Sequence, residues 1–92
     1  MAKEISDILL HLGEHDLPLG AVSPPIFQTS IFSFPTFDAF QEALSDEPSH
    51  YIYTRGNNPT VNLCELKLAE LEHGVRAKLV TSGVAAISLA IF

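Results

Sequence analysis

Ile5, Ile8, Leu9 and Leu12 follow one another at spacings of three, one and three, which lays an apolar stripe along a short helix over Lys3–Leu12, with Gly13 placed to close it. A docking element fits that pattern. From Gly20 to Pro35 the helical period vanishes and three prolines appear, so this stretch is predicted to be an extended arm rather than a central strand. Its Ile26, Phe27, Ile31, Phe32 and Phe34 are too many to leave in water, so the arm needs a surface to lie on, in its own domain or in a neighbouring subunit. After Pro35 the period returns: Phe37, Phe40 and Leu44 share one face of a short helix, with Thr36 or Asp38 available to cap it, and Ser45-Asp46-Glu47-Pro48-Ser49 ends it.

A longer helix begins at Asn58, a favoured N-cap, followed by Pro59, a favoured first helical residue. Val61, Cys64, Leu68 and Leu71 keep one face of it apolar, Glu65, Lys67, Glu70 and Glu72 populate the rest, and Gly74 follows His73 where a left-handed terminal residue is wanted. Ala77–Thr81 reads as a short strand, and Ser82-Gly83 turns from it into Val84–Phe92, a helix that is almost wholly apolar. The chain reaches Phe92 inside that helix with no cap or polar tail, so the expectation is an N-terminal piece of a longer protein.

Composition changes this picture in two ways. With 47% hydrophobic and only 17% charged residues in 92, the chain carries more apolar surface than so short a domain would bury by itself, which points to assembly with further chain. The net charge of −6, with no cluster of Lys and Arg, removes the electrostatic footprint that nucleic acid or an anionic membrane would require. One cysteine excludes an internal disulfide, no leader-like apolar segment follows Met1, and no apolar run has the length of a membrane span, so a reducing, cytoplasmic setting is expected.

Candidate chemistry concentrates in Tyr51-Ile52-Tyr53-Thr54-Arg55-Gly56-Asn57-Asn58-Pro59-Thr60, which packs phenols, a guanidinium, a Gly, two Asn and a Pro into one turn-forming segment ahead of a helix. That is a costly composition for a mere connector. The strand, Ser82-Gly83 and helix order of the C-terminal third places bare backbone N–H groups at a positive helix end, as a phosphate needs, although many α/β turns of this kind hold no ligand. His11 and His15 stand four apart, but Gly13 and Pro18 interrupt the helix that would align them, and they are read as exposed polar side chains with no metal. Cys64 is assigned to packing on its apolar stripe.

In order and spacing, Gly20-Ala-Val-Ser-Pro-Pro-Ile-Phe-Gln-Thr-Ser, Tyr53-Thr-Arg55-Gly-Asn-Asn58-Pro59-Thr60, the helix through Leu66 and Leu71 to Gly74, and Thr81-Ser82-Gly83-Val84-Ala85-Ala86-Ile87 resemble the N-terminal region of the Cys/Met-metabolism (trans-sulfuration) enzymes that use pyridoxal 5′-phosphate. Cystathionine γ-synthase, cystathionine lyases, methionine γ-lyase and O-acyl-homoserine sulfhydrylases belong to that family. The resemblance implies an α/β chain: the N-terminal arm and the start of the large cofactor-binding domain of a type I, aspartate aminotransferase-like fold. Residues 1–58 would then be helix and arm against a neighbouring subunit, and 59–92 the beginning of the cofactor domain.

The same resemblance implies that Tyr53 and Arg55 reach the cofactor phosphate of the neighbouring subunit, while backbone at Ser82, Gly83 and Val84 holds the phosphate of their own. It further implies a homo-oligomer, a dimer of dimers, acting on an amino-acid substrate by forming or breaking C–S bonds. Val84 stands where the family commonly has Met, which matters little if the contact is through the backbone N–H. The Schiff-base Lys and the groups that bind the cofactor ring and substrate carboxylate do not occur in this segment, and neither Lys67 nor Lys78 has the family's Lys context. The alternative from another class is a truncated, non-catalytic interaction module that associates through its aromatic arm and apolar C-terminal helix.

Overall fold

The computed structural model describes residues 4–92; Lys3, where the predicted first helix begins, lies outside them together with Met1 and Ala2. Helix α1 spans Ile5–His11, α2 Phe37–Ser45, α3 Pro59–Leu71 and α4 Gly83–Ile91, with single 3-10 turns at Pro18–Gly20 and Glu47–Ser49. Each longer helix starts as local chemistry dictates. Thr36 accepts from the Ala39 N–H at 3.1 Å, Asn58 from Thr60 at 2.9 Å and Ser82 from Ala85 at 3.1 Å. Among the described residues no helix is long and apolar enough to cross a membrane.

Two expectations about the backbone are corrected first, and the packing of Cys64 and of the α2 and α3 faces is corrected below. The segment Ala77–Thr81 forms no strand, and the only pairing among the described residues is one antiparallel bridge, Ile31 with Tyr53. A strand needs a neighbouring backbone to satisfy its N–H and C=O groups, and none is offered to this one. The Leu79 N–H turns instead to the Glu65 carboxylate of α3 at 2.8 Å. The second correction concerns the end of α3: the left-handed residue is His73, at φ 57°, not Gly74. His73 N–H bonds to the Glu70 carbonyl at 3.2 Å and Gly74 N–H to Ala69 at 2.8 Å, the paired closure of a Schellman end.

α1 docks on α3, but on a different face from the predicted Val61, Cys64, Leu68 and Leu71 stripe. Ile8 of α1 and Ala69 of α3 are buried, whereas Cys64 is exposed and Val61 and Leu68 are partly in solvent. Lys67 fastens the contact: its ammonium pairs with Glu14 and donates to the Leu9 carbonyl at 2.7 Å, near the end of α1. α1 stops at His11, and Gly13 takes φ 76°, so no helix runs on to His15. In α2 the deepest residue is Ala43, with no exposed surface; Phe40 is half-buried against Phe34 and Phe37 at ring-centroid distances of 5.4 and 6.5 Å. Phe37 and Leu44, on the predicted apolar face, are 70% and 44% exposed.

The hydrophobic residues buried in the described part are Ile8, Ala43 and Ala69, two of them alanines. The radius of gyration is 15.4 Å, against about 12 Å for a compact domain of this length. This apolar chain is therefore spread out, and the described residues leave the large side chains of α4 open: Val84, Ile87 and Ile91 are 76%, 62% and 72% exposed.

Gly13 offers a direct check on the α1–α3 contact. A Cβ there would meet Leu63 Cδ1 at 2.6 Å and Leu66 Cδ2 at 3.0 Å, on a backbone already left-handed. Gly13→Ala is expected to destabilise the protein by about 1–2 kcal/mol, read as a lowered urea midpoint with an unchanged slope.

Candidate functional site

Tyr53, Thr54, Arg55 and Gly56 form a tight turn closed by the Tyr53 carbonyl, which accepts the N–H groups of Gly56 at 2.9 Å and Asn57 at 3.1 Å. The side chains of Tyr53 and Arg55 both leave this turn for solvent. The guanidinium stacks on the phenol, its carbon 5.1 Å from the ring centroid, and Nη2 lies 3.5 Å from the hydroxyl. In a chain with 11 carboxylates and 5 Lys and Arg, Arg55 makes no ion pair among the described residues. Its charge rests on the aromatic face of Tyr53.

Behind the turn stands Asn58, 2% exposed and the only buried polar residue among those described. Its carbonyl oxygen caps α3, while its amide group donates to the Phe27 carbonyl at 3.0 Å and to Thr54 Oγ1 at 3.1 Å. Thr54 in turn donates its hydroxyl to the Thr29 carbonyl and its N–H to Ser30 at 2.9 Å. Phe32 N–H to Ile52 at 3.1 Å and Phe27 N–H to Thr60 Oγ1 at 2.8 Å complete the seam. The arm therefore has a surface, and it is the backbone of the Tyr51–Thr60 segment, although Val22, Ile26 and Ile31 keep their side chains 93%, 73% and 67% exposed. Asn57 braces the other flank, donating to Pro48 at 3.2 Å and accepting from Asn62 at 2.7 Å.

Ser82, Gly83 and Val84 open α4 at the surface. The Ser82 hydroxyl takes the Ala85 N–H and its carbonyl the Ala86 N–H, so the amides of Gly83 and Val84 are those left open at the helix start. Nothing lies within 4 Å of where a Gly83 Cβ would be. Tyr53, with His50, Asn57 and Lys78, lines a cleft of about 560 Å³; Arg55, Ser82, Gly83 and Val84 are not on its wall. A second cleft of about 460 Å³, mostly apolar, runs between Pro24–Phe27 of the arm and Pro59, Leu63 and Leu66 of α3. Stacking joins Arg55 to Tyr53, and Ser82, Gly83 and Val84 lie together at the start of α4.

The chain matches the family of Cys/Met metabolism PLP-dependent enzymes over residues 6–92. It belongs to that family. L-methionine gamma-lyase of Pseudomonas putida is 39% identical over 69 residues, 75% of this chain and 17% of that protein. The enzyme of the same name from Porphyromonas gingivalis is 41% identical over 83 residues, 90% of this chain and 21% of that one. The sulfhydrylase-like protein lolC1 of Epichloe uncinata is 38% identical over 85 residues, 92% of this chain and 18% of that one. The chain thus spans about a fifth of the length of the curated relatives it matches. No solved structure matches it.

Pyridoxal 5′-phosphate is the cofactor of this Cys/Met metabolism family. The residues present suit the phosphate end of that molecule: a guanidinium without a counter-charge and a phenol in one group, two open amides at a capped helix start in the other. Lys67 is committed to Glu14 and Leu9, and Lys78 lies on the cleft wall beside Tyr53. Sequence reasoning found both groups but read Asn58 only as a helix cap. The signal it passed over was Asn57-Asn58 with Thr54 and Thr60, a density of short polar side chains that a buried seam consumes.

The α4 start makes its own check. Ser82→Ala is expected to weaken that helix end by about 1 kcal/mol and to speed hydrogen exchange at the Ala85 amide, while the Gly83 and Val84 amides already exchange fast in the unmodified chain.

Proposed function

We propose that this chain is the N-terminal portion of an enzyme that makes or breaks C–S bonds in sulfur amino-acid metabolism, a lyase or transferase in its full length. Its own part is to hold the cofactor phosphate and build a subunit interface. Arg55 carries this reading: a guanidinium presented on an aromatic face and projecting from a hydrogen-bonded turn, with no ion pair among the described residues. Such a group is ready for an anion from outside the described residues. A phosphate dianion is the anion the family provides.

In this reading Tyr53 and Arg55 bind the phosphate of the neighbouring subunit's cofactor, and the amides of Gly83 and Val84, at the Ser82-capped start of α4, bind that of their own. When bound, pyridoxal 5′-phosphate supplies the electron sink for chemistry at the amino-acid carbons. This chain's residues fix its phosphate end: Arg55 neutralises charge, Tyr53 donates from its hydroxyl, and the helix start adds N–H donors with the favourable end of the helix dipole. The lysine that carries the cofactor and the groups that move substrate protons are expected outside this segment, so no catalytic residue is assigned within it. The exposed arm side chains and α4 supply apolar surface for a homo-oligomer, a dimer of dimers. The names of the relatives, methionine gamma-lyases and a sulfhydrylase-like protein, support C–S chemistry as the reaction class.

Arg55→Ala in the full-length protein is expected to raise the dissociation constant for pyridoxal 5′-phosphate roughly tenfold or more, measured by spectroscopic titration, with far-UV circular dichroism unchanged. Arg55→Lys should restore only part of the loss, because an ammonium lacks the planar fork. Wild-type cofactor binding in Arg55→Ala would defeat the proposal.

A further inference from the structure

Tyr53 and Arg55 are surface side chains, and a surface Tyr-Arg pair on a free loop would sample many orientations at a cost in binding entropy. Thr54, which lies between them in the chain, is held as neither neighbour is. Its N–H donates to the Ser30 carbonyl at 2.9 Å, its hydroxyl donates to the Thr29 carbonyl, and the same oxygen accepts from Asn58 Nδ2 at 3.1 Å. Asn58 is itself fixed at both ends of its amide, capping α3 through Thr60 and donating to Phe27 of the arm. Helix, turn and arm thus meet on one buried side chain. Among the hydrogen bonds of the described side chains, those of Asn58 alone join all three.

We infer that Asn58 and Thr54 are the positioning residues of the phosphate grip, setting the orientation of Tyr53 and Arg55 through the seam that joins turn, arm and helix. The inference rests on the phosphate-holding role proposed above and adds a requirement to it: the grip works only while the arm is seated. Displacing Thr29 and Ser30 from Thr54 would free the backbone between the two phosphate-binding side chains. The state of the arm is thereby coupled to cofactor affinity without the arm touching the cofactor.

Asn58→Asp separates positioning from capping. A carboxylate still accepts the Thr60 N–H, so α3 keeps its cap, but it has no hydrogen to give to Phe27 or Thr54. Thr54→Val is the second variant, with similar shape and no hydroxyl. Each is made in the full-length protein, alone and with Arg55→Ala, and binding of pyridoxal 5′-phosphate and of unphosphorylated pyridoxal is titrated alongside the thermal midpoint of the cofactor-free protein. The expected result is a roughly tenfold loss in affinity for the phosphorylated form, little change for pyridoxal, and a smaller further loss, that of the Tyr53 contact alone, when either substitution is added to Arg55→Ala. Equal losses for both ligands, or losses that add in full to that of Arg55→Ala, would mean a general structural role and overturn the inference. Should Asn58→Asp lower the thermal midpoint strongly, Thr54→Val decides by the same criteria. If Arg55→Ala itself binds the cofactor normally, the phosphate-holding reading and this inference fall together; if only the Asn58 and Thr54 variants bind normally, the inference alone fails.

Discussion

A primary amide removed from water must find partners for its oxygen and its two hydrogens, and at Asn58 those partners come from three parts of the chain. The oxygen begins α3, one hydrogen holds the arm at Phe27, and the other holds Thr54 in the turn. A buried donor left without a partner costs more than a made bond contributes, so the arrangement excludes alternatives in which any one of the three elements departs alone. The bridge between Ile31 and Tyr53, the turn that carries Arg55 and the direction in which α3 leaves all depend on it. Hydrophobic packing could not impose this by itself, because so little apolar surface is buried nearby.

The electrostatics of the two phosphate-compatible groups differ in kind. Arg55 brings a full charge on a side chain, steadied by the face of Tyr53, and its lack of a carboxylate partner contrasts with Lys67, which is tied to Glu14 and serves the α1–α3 contact. The start of α4 brings no charge, only the open amides of Gly83 and Val84 and the dipole behind them. A dianionic phosphate rewards both, and a carboxylate substrate group would gain less from either. Arg76 and Lys78 likewise make no ion pair among the described residues; what sets Arg55 apart is the face of Tyr53 on which its guanidinium rests.

Apolar surface tells the complementary story. Chains of this composition bury large side chains, yet here Val84, Ile87 and Ile91 on α4, and Val22, Ile26 and Ile31 on the arm, remain open. The faces of α3 divide the same way, with α1 covering one and leaving the stripe containing Cys64 outward. The chain spans about a fifth of its relatives' length, and within that span the described residues leave these faces uncovered.

Local rules carried most of what the sequence determined by itself. Helix starts at Thr36, Asn58 and Ser82 and the proline-marked arm were legible, because caps, prolines and turn formers act within a few residues of themselves. The expected strand at Ala77–Thr81 was not realised, since a strand exists only with a partner and periodicity cannot supply one. The left-handed residue at the end of α3 fell on His73 rather than Gly74, a one-position difference that the Schellman hydrogen bonds decide. Which face of α3 is covered, where Cys64 points, and the convergence of Phe27, Thr54 and α3 on Asn58 were decided only in three dimensions. A sequence shows an asparagine before a proline and a helix; that both hydrogens of its amide are spoken for, one of them 31 residues away, is a property of the fold.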